Sequence, residues 1–179
     1  MAEHDHESDA RDVLARVKLL ALDVDGTLTD GSIAHLERGE IQTFDVHDGQ
    51  GLAWLRKFGV KITWITGRGC EATSRRAKEL QITEVFTRVK SKIQTLREVQ
   101  ERLKIHADET ASMGDDLPDL GLKAASGFFC APANARAEVR EQADLVTQAS
   151  GGRGAVRELC EAILRAKGHW QEILDAQVR

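Results

Sequence analysis

Apolar residues in this 179-residue chain recur with two alternating rhythms. Short, nearly continuous runs cover Leu19 to Leu22 with Val24, Val60 to Ile65, Glu84 to Thr87, Ala111 to Gly114, Gly127 to Cys130 and Asp144 to Val146. All six read as strands, and the first fits a strand buried on both faces, as in a parallel sheet covered by helices. Between them the apolar spacing lengthens to three and four. Leu52, Leu55 and Phe58 predict a helix closed by Gly59, after a turn at Asp48-Gly49-Gln50-Gly51. Glu71 to Leu80 predicts a second, with a Glu71/Arg75 pair one turn apart. Ser91 to Lys104 predicts a third, on Ile93, Leu96, Val99 and Leu103, with Ser91 as N-cap. Further helices are expected from Asp9 to Arg16, after Pro118, from about Asn134, and on Val156, Leu159 and Ile163. Strands alternating with helices predict an α/β fold, a doubly wound, mostly parallel sheet.

Two segments stand outside that alternation. Gly31 to Leu36 and Glu40 to Val46 flank the polar Glu37-Arg38-Gly39 and predict a projecting β-hairpin over about residues 32–46. After Gly168, Trp170, Ile173, Leu174 and Val178 share one helical face, which packs on its own domain or on a neighbouring subunit. The expected organisation is a disordered tail over residues 1–8, a single domain over 9–168 and an amphipathic tail over 169–179.

A chain of this length is expected to form one domain burying roughly 70% of its unfolded surface. The net charge of -4 offers no basic stripe for nucleic acid and no polybasic membrane anchor. No apolar run approaches a membrane span, and the polar, acidic start is unlike a signal peptide. Cys70, Cys130 and Cys160, odd in number and without a CxxC pair, read as reduced thiols of a cytoplasmic protein.

The chemistry lies where the expected strands end. Asp23 and Asp25 interrupt the first run, and Gly26 then lets the chain turn sharply. Thr66-Gly67-Arg68 follows the second strand, Lys92 opens a helix, and Asp115-Asp116 with Asp119 follow the Ala111 run. In a doubly wound sheet such points converge along one edge. Like charges at ~4 Å cost about 4 kcal/mol at an effective dielectric near 20. Several carboxylates therefore stay ionised together only beside a cation; otherwise some protonate. Oxygen ligands without His or Cys point to Mg²⁺, which favours phosphate as a partner. Lys92, near a helix N-terminus, and the Thr66 hydroxyl suit a phosphoryl group.

This pattern resembles the haloacid dehalogenase-like superfamily of phosphohydrolases. Asp23-Val24-Asp25-Gly26-Thr27-Leu28-Thr29 is similar to its first motif, Ile65-Thr66-Gly67-Arg68 to its second, Lys92 to its third-motif lysine, and Gly114-Asp115-Asp116 with Asp119 to its fourth. The resemblance implies that Asp23 is the nucleophile and Asp25 the general acid and base. It also implies that the Asp23 side chain, the Asp25 backbone carbonyl and Asp115 hold Mg²⁺, with Asp116 and Asp119 orienting that shell. Thr66, Gly67, Arg68 and Lys92 would bind the phosphorylated substrate. Asp116 and Asp119 also read as helix-start carboxylates, and Lys90 is a neighbouring rival to Lys92.

Family members with large caps insert a domain between the first and second motifs or between the second and third. Here those intervals leave no room for one. Within the capless group the chain resembles the 3-deoxy-D-manno-octulosonate 8-phosphate phosphatase family over about residues 17–167, through the first motif, Phe44 to Gly51, Gly114-Asp115-Asp116 and Gly151-Gly152-Arg153-Gly154-Ala155-Val156-Arg157-Glu158. That resemblance implies a phosphorylated 2-keto-3-deoxy sugar acid as substrate, a homotetramer with associating hairpins, and a role in lipopolysaccharide biosynthesis. Arg153 would meet the sugar-acid carboxylate, and it also reads as a surface or helix-start ion pair. His47 stands where that family commonly has Arg, and nonulosonate 9-phosphate phosphatases share much of the pattern. A non-catalytic oligomerisation module is the contrasting class, opposed by the retention of both Asp23 and Asp25. A signalling receiver would instead carry an adjacent acidic pair on its first strand, and a dehalogenase needs neither Asp25 nor a metal.

Overall fold

In the computed structural model, which describes residues 10–178, a six-stranded sheet forms the centre of the molecule. The expected tail over residues 1–8 lies outside the described residues. Helix α1 (residues 10–16) leads into β1 (Leu19–Leu22), and a hairpin of β2 (Ala34–His35) and β3 (Glu40–Ile41) follows. The chain continues through α2 (Val46–Lys57), β4 (Lys61–Ile65), α3 (Glu71–Glu79), β5 (Glu84–Phe86) and α4 (Lys92–Leu103). Then come β6 (Thr110–Met113), α5 (Leu120–Lys123), β7 (Phe128–Ala131), α6 (Ala137–Arg140), β8 (Leu145–Val146), α7 (Ala155–Ala166) and α8 (Trp170–Gln177).

The sheet order is β5-β4-β1-β6-β7-β8, and each of its neighbouring pairs is parallel. From β1 the chain builds outward on one side through β4 and β5, then crosses to build β6, β7 and β8 on the other. The reversal makes the gap between β1 and β6 the topological switch point, where doubly wound sheets bind ligands. Alternate residues of β1 serve opposite faces. Leu20 and Leu22 join Trp64, Met113, Leu52, Leu55, Val156 and Leu159 in one cluster, against α2 and α7. Leu19 and Ala21 join Ile65, Leu96, Val99 and Leu122 in the other, against α4 and α5. The doubly wound expectation is borne out; β1, β6 and β7 are buried on both faces, whereas the edge strands β5 and β8 are only partly buried.

Three local expectations need correction. Asp48-Gly49-Gln50-Gly51 is not a turn: α2 starts at Val46, capped by the Asp45 carboxylate on the His47 N–H, and runs through both glycines. A Cβ built on Gly51 would lie 3.0 Å from Cys160 Cβ on α7, and one on Gly49 2.4 Å from Arg76 Nη2. These glycines let neighbours approach the helix rather than break it. The hairpin pairs over only two residues per strand, Ala34 with Ile41 and His35 with Glu40. The helix expected from about Asn134 is a single turn starting at Ala137, with Asn134 itself taken up by contacts described below.

The hairpin stands out into solvent with Leu36, Ile41 and, at the start of α2, Val46 exposed. The tail lies against its own domain: Ile173 is buried in the main cluster, and Trp170 packs edge-on against Trp54 of α2 at 5.7 Å. Leu174 and Val178, on the same expected face, remain exposed. All three cysteines are free and buried. No helix among the described residues is long and apolar enough to cross a membrane.

Candidate active site

Asp23 immediately follows β1, Thr66 follows β4 and Asp115 lies two residues past β6, so three strand ends deliver their polar residues to one edge of the sheet. Lys92 arrives from the first residue of α4, whose N-cap is Ser91. Its ammonium is ion-paired with both Asp23 and Asp119 and is only 10% exposed. Lys90, the alternative, is exposed.

Asp23, Asp115 and Asp119 can each bring a carboxylate oxygen within 4.8 Å of the others. The sequence supports this crowding with missing side chains. Gly26 adopts φ +93°, and a Cβ there would sit 2.1 Å from Asp115 Oδ2, so only glycine lets that carboxylate reach the turn after β1. Asp119 is pinned from behind: its Oδ2 accepts the backbone N–H groups of Asp115 (3.0 Å) and Asp116 (3.1 Å). Thr27 donates its hydroxyl to Asp115 Oδ1 at 3.2 Å. Asp116 is exposed and caps the turn Leu117–Asp119 through the Leu117 N–H.

Three carboxylates share one ammonium, and the imbalance appears in their protonation. Burial, then the Asp119 charge, hold Asp23 well above the usual carboxylate range despite Lys92. The same two causes push Asp115 up to about 6. Burial works to lower Lys92, but Asp23 and Asp119 outweigh it and hold the ammonium above its ordinary value. A cluster of oxygen donors with excess negative charge, closed on one side by a cradle that a Cβ would fill, fits a hard divalent cation such as Mg²⁺.

Asp25 belongs to a second set of contacts. The strand ends at Leu22, so the two-residue period of a strand does not carry its side chain alongside that of Asp23. Asp25 Oδ1 accepts from Gln42 Nε2 at 2.7 Å, and Oδ2 from the Thr66 hydroxyl at 3.2 Å. Thr66 is itself fixed by the Arg68 backbone N–H at 3.1 Å. The Arg68 guanidinium is held by Glu40 of the hairpin at 2.7 Å, with its Nε 3.6 Å from Asp25 Oδ1.

A third loop closes over the first. Gly151 packs so tightly on the turn after β1 that a Cβ there would meet the Gly26 carbonyl oxygen at 1.8 Å. Asn134 stitches the two loops, donating to Gly26 O at 3.0 Å and accepting from Gly151 N at 2.6 Å. This arrangement brings Arg153, largely exposed, to 3.6 Å from Asp30. Gln42, Thr27 and Asn134 were not singled out from the sequence, since isolated amides and hydroxyls carry no spacing signature. Gln42 and Thr27 do lie within or beside stretches read as hairpin and first motif.

The chain resembles known proteins along its length. A family model described as haloacid dehalogenase-like hydrolase matches residues 79–159. The 3-deoxy-D-manno-octulosonate 8-phosphate phosphatase KdsC of Escherichia coli K12 is 36% identical over 165 residues, covering 90% of this chain and 88% of that protein. The crystal structure of 3-deoxy-D-manno-octulosonate 8-phosphate phosphatase from Moraxella catarrhalis, in complex with magnesium, phosphate and KDO, superposes with a TM-score of 0.92 at 36% identity, covering 94% of this chain and 98% of that one. The cobalt-bound phosphatase of Haemophilus influenzae superposes with a TM-score of 0.85 at 34% identity, covering 87% and 92%. The chain is therefore a phosphatase that belongs to the haloacid dehalogenase-like superfamily, in its 3-deoxy-D-manno-octulosonate 8-phosphate phosphatase family.

Proposed function

We propose that this chain hydrolyses the phosphomonoester of a 2-keto-3-deoxy sugar acid, 3-deoxy-D-manno-octulosonate 8-phosphate, through a phosphoryl group carried on Asp23. The observation that carries this reading is the meeting of Asp23 and Asp115 beside Lys92 at the switch point of the sheet. An Asp23 oxygen attacks phosphorus and the bond from phosphorus to the ester oxygen breaks. Asp25, held beside Thr66, gives its proton to the departing alkoxide. Water then attacks the same phosphorus, Asp25 recovers a proton, and the bond to Asp23 breaks to release phosphate. Thr66 and Lys92 bind the phosphoryl oxygens, and Gly67 and Arg68 shape the loop beside them. Mg²⁺, held by the Asp23 and Asp115 carboxylates and the Asp25 carbonyl, supplies positive charge against the transferring group. Asp116 and Asp119 orient these ligands, and Asp119 does so through the backbone contacts given above.

Arg153, free to swing from Asp30, receives the sugar-acid carboxylate. The exposed apolar residues of the hairpin support a homotetramer built on that element, in a cytoplasmic enzyme of lipopolysaccharide synthesis. The second reading is a nonulosonate 9-phosphate as substrate, because His47, exposed at the start of α2, stands where the family commonly has Arg. Release of phosphate from a panel of eight- and nine-carbon keto-sugar phosphates, with Mg²⁺ and with a chelator, tests the reading. Turnover of the eight-carbon ester only with metal supports it. Turnover of the nine-carbon ester alone selects the second substrate, and activity retained in Asp23→Asn removes the nucleophile.

A further inference from the structure

We infer that Gln42 is a positioning residue for the proton donor, a hairpin amide that fixes which oxygen of Asp25 faces the phosphoryl group. The inference rests on Asp25 being the general acid. Gln42 follows β3 directly and is 9% exposed, an unusual place for an amide in a hairpin whose neighbouring residues face water. Both ends of that amide are occupied. Its Oε1 accepts from the hydroxyl of buried Thr73 on α3 at 2.8 Å, and its Nε2 donates to Asp25 Oδ1 at 2.7 Å. The carboxylate sets the amide orientation, since it only accepts and a flipped amide would turn its oxygen toward it; the Thr73 hydroxyl, which can donate or accept, then donates to Oε1.

The consequence falls on Asp25. With Oδ1 engaged by Gln42, Oδ2 is the oxygen left against the Thr66 hydroxyl, on the side where phosphoryl oxygens bind. A competitor stands close by. Arg68 Nε is buried without a hydrogen-bond acceptor and lies 3.6 Å from the same Oδ1. Without the amide, Asp25 is free to turn toward that guanidinium edge and carry Oδ2 away from Thr66. The hairpin therefore does more than project from the domain: it reaches back through one side chain to orient the group that protonates the leaving alcohol.

The test compares two phosphate esters whose need for a proton donor differs. An alkyl phosphate expels a strongly basic alkoxide and needs the acid, whereas p-nitrophenyl phosphate expels a stable phenolate and does not. Gln42→Leu should lower kcat/KM about 10- to 100-fold on the alkyl ester, within the range of general acid catalysis, and less than about threefold on p-nitrophenyl phosphate. Thr73→Val, which frees the far end of the amide, should shift the same ratio in the same direction by a smaller factor, and it carries the test if Gln42→Leu does not fold. Equal losses on both esters, or no loss on either, would overturn the inference. Asp25→Asn run in parallel separates the two levels. If it discriminates between the esters and the Gln42 and Thr73 variants do not, only the role of Gln42 falls. If Asp25→Asn does not discriminate, the general-acid reading falls and takes the positioning role with it.

Discussion

The Asp48 carboxylate, in the first turn of α2, accepts the backbone N–H of Arg157 at 2.7 Å, in the first turn of α7. Gly154, at the cap position of α7, has no side chain for that role, so Asp48, 109 residues before Arg157, serves it. The same helix start carries the loop of Arg153. Two stretches that look separate in the sequence, Phe44 to Gly51 and Gly151 to Glu158, are thus two halves of one capping contact.

Asp48 should make stability fall as pH rises through the mildly acidic range. It is 1% exposed with Oδ2 unpartnered, and burial, helped by Asp45, pushes its carboxyl up to about 6 against the Arg157 and Gly154 N–H groups and His47. An unfolded chain releases this proton near pH 4, so between about 4 and 6 the folded state holds more protons and loses stability as pH increases. Asp48→Asn keeps an acceptor for the Arg157 N–H without the buried charge. It should flatten that slope and gain on the order of 1–2 kcal/mol at pH 7, whereas Asp48→Ala should lose about 1 kcal/mol at pH 4 with its cap. Urea denaturation from pH 4 to 8 measures both.

Lys92→Met should destabilise the protein as well as inactivate it. The substitution leaves the buried Asp23 and Asp119 carboxylates facing each other without their shared ammonium, a loss of about 3–5 kcal/mol when a buried pair is broken. Part of that loss should return on adding Mg²⁺, visible as a larger metal-dependent shift in the denaturation midpoint than the parent shows.

Mg²⁺ should raise the melting temperature of the parent protein through mass action, a stabilisation of about 2.7 kcal/mol at a hundredfold excess over Kd. Asp115→Asn should abolish most of that shift while leaving the metal-free melting temperature close to the parent value, since it also removes one member of a crowded acidic cluster. Differential scanning calorimetry with and without chelator decides the point.

Removing residues 169–179 should lower stability in addition to any change in KM. Ile173 is 2% exposed, Phe58 stacks on His169 at 4.2 Å, and Arg165 and Arg157 lie over the ring of Trp170 at 4.5 and 5.8 Å. Truncation should therefore cost several kcal/mol, and Trp170→Ala alone about 2–4. A thermal melt unchanged by truncation would mean that the tail does not pack on its own domain.

Much of this is legible in the amino-acid sequence. Strand runs buried on both faces and the polar residues at their ends carry their own periodicity and spacing, so β1, β4, β6 and the residues Asp23, Thr66, Lys92 and Asp115 could be placed from the chain alone. The start of α2 could not. Gly49 and Gly51 argue for a turn on local propensity, and only the approach of Arg76 and Cys160 from distant helices explains why they sit in a helix. Likewise Gln42 looks like any polar hairpin residue until Thr73 and Asp25 are seen at its two ends. What escaped the sequence is what depends on partners 17 to 109 residues away.

The first strand stands in the middle of the sheet, yet both of its neighbours come much later in the chain: Leu19 pairs with Lys61 on one side and Thr110 on the other. Thr27 and Asp115, which meet at the turn beyond it, are 88 positions apart. Contacts of such separation form late and slowly, because the intervening loop must close before they repay its entropy. On the ribosome, Asp23 therefore emerges long before Lys92 and Asp115, the residues it meets in the folded domain. A partly synthesised chain holds Asp23 without those partners, and the site is assembled only once the whole domain has closed.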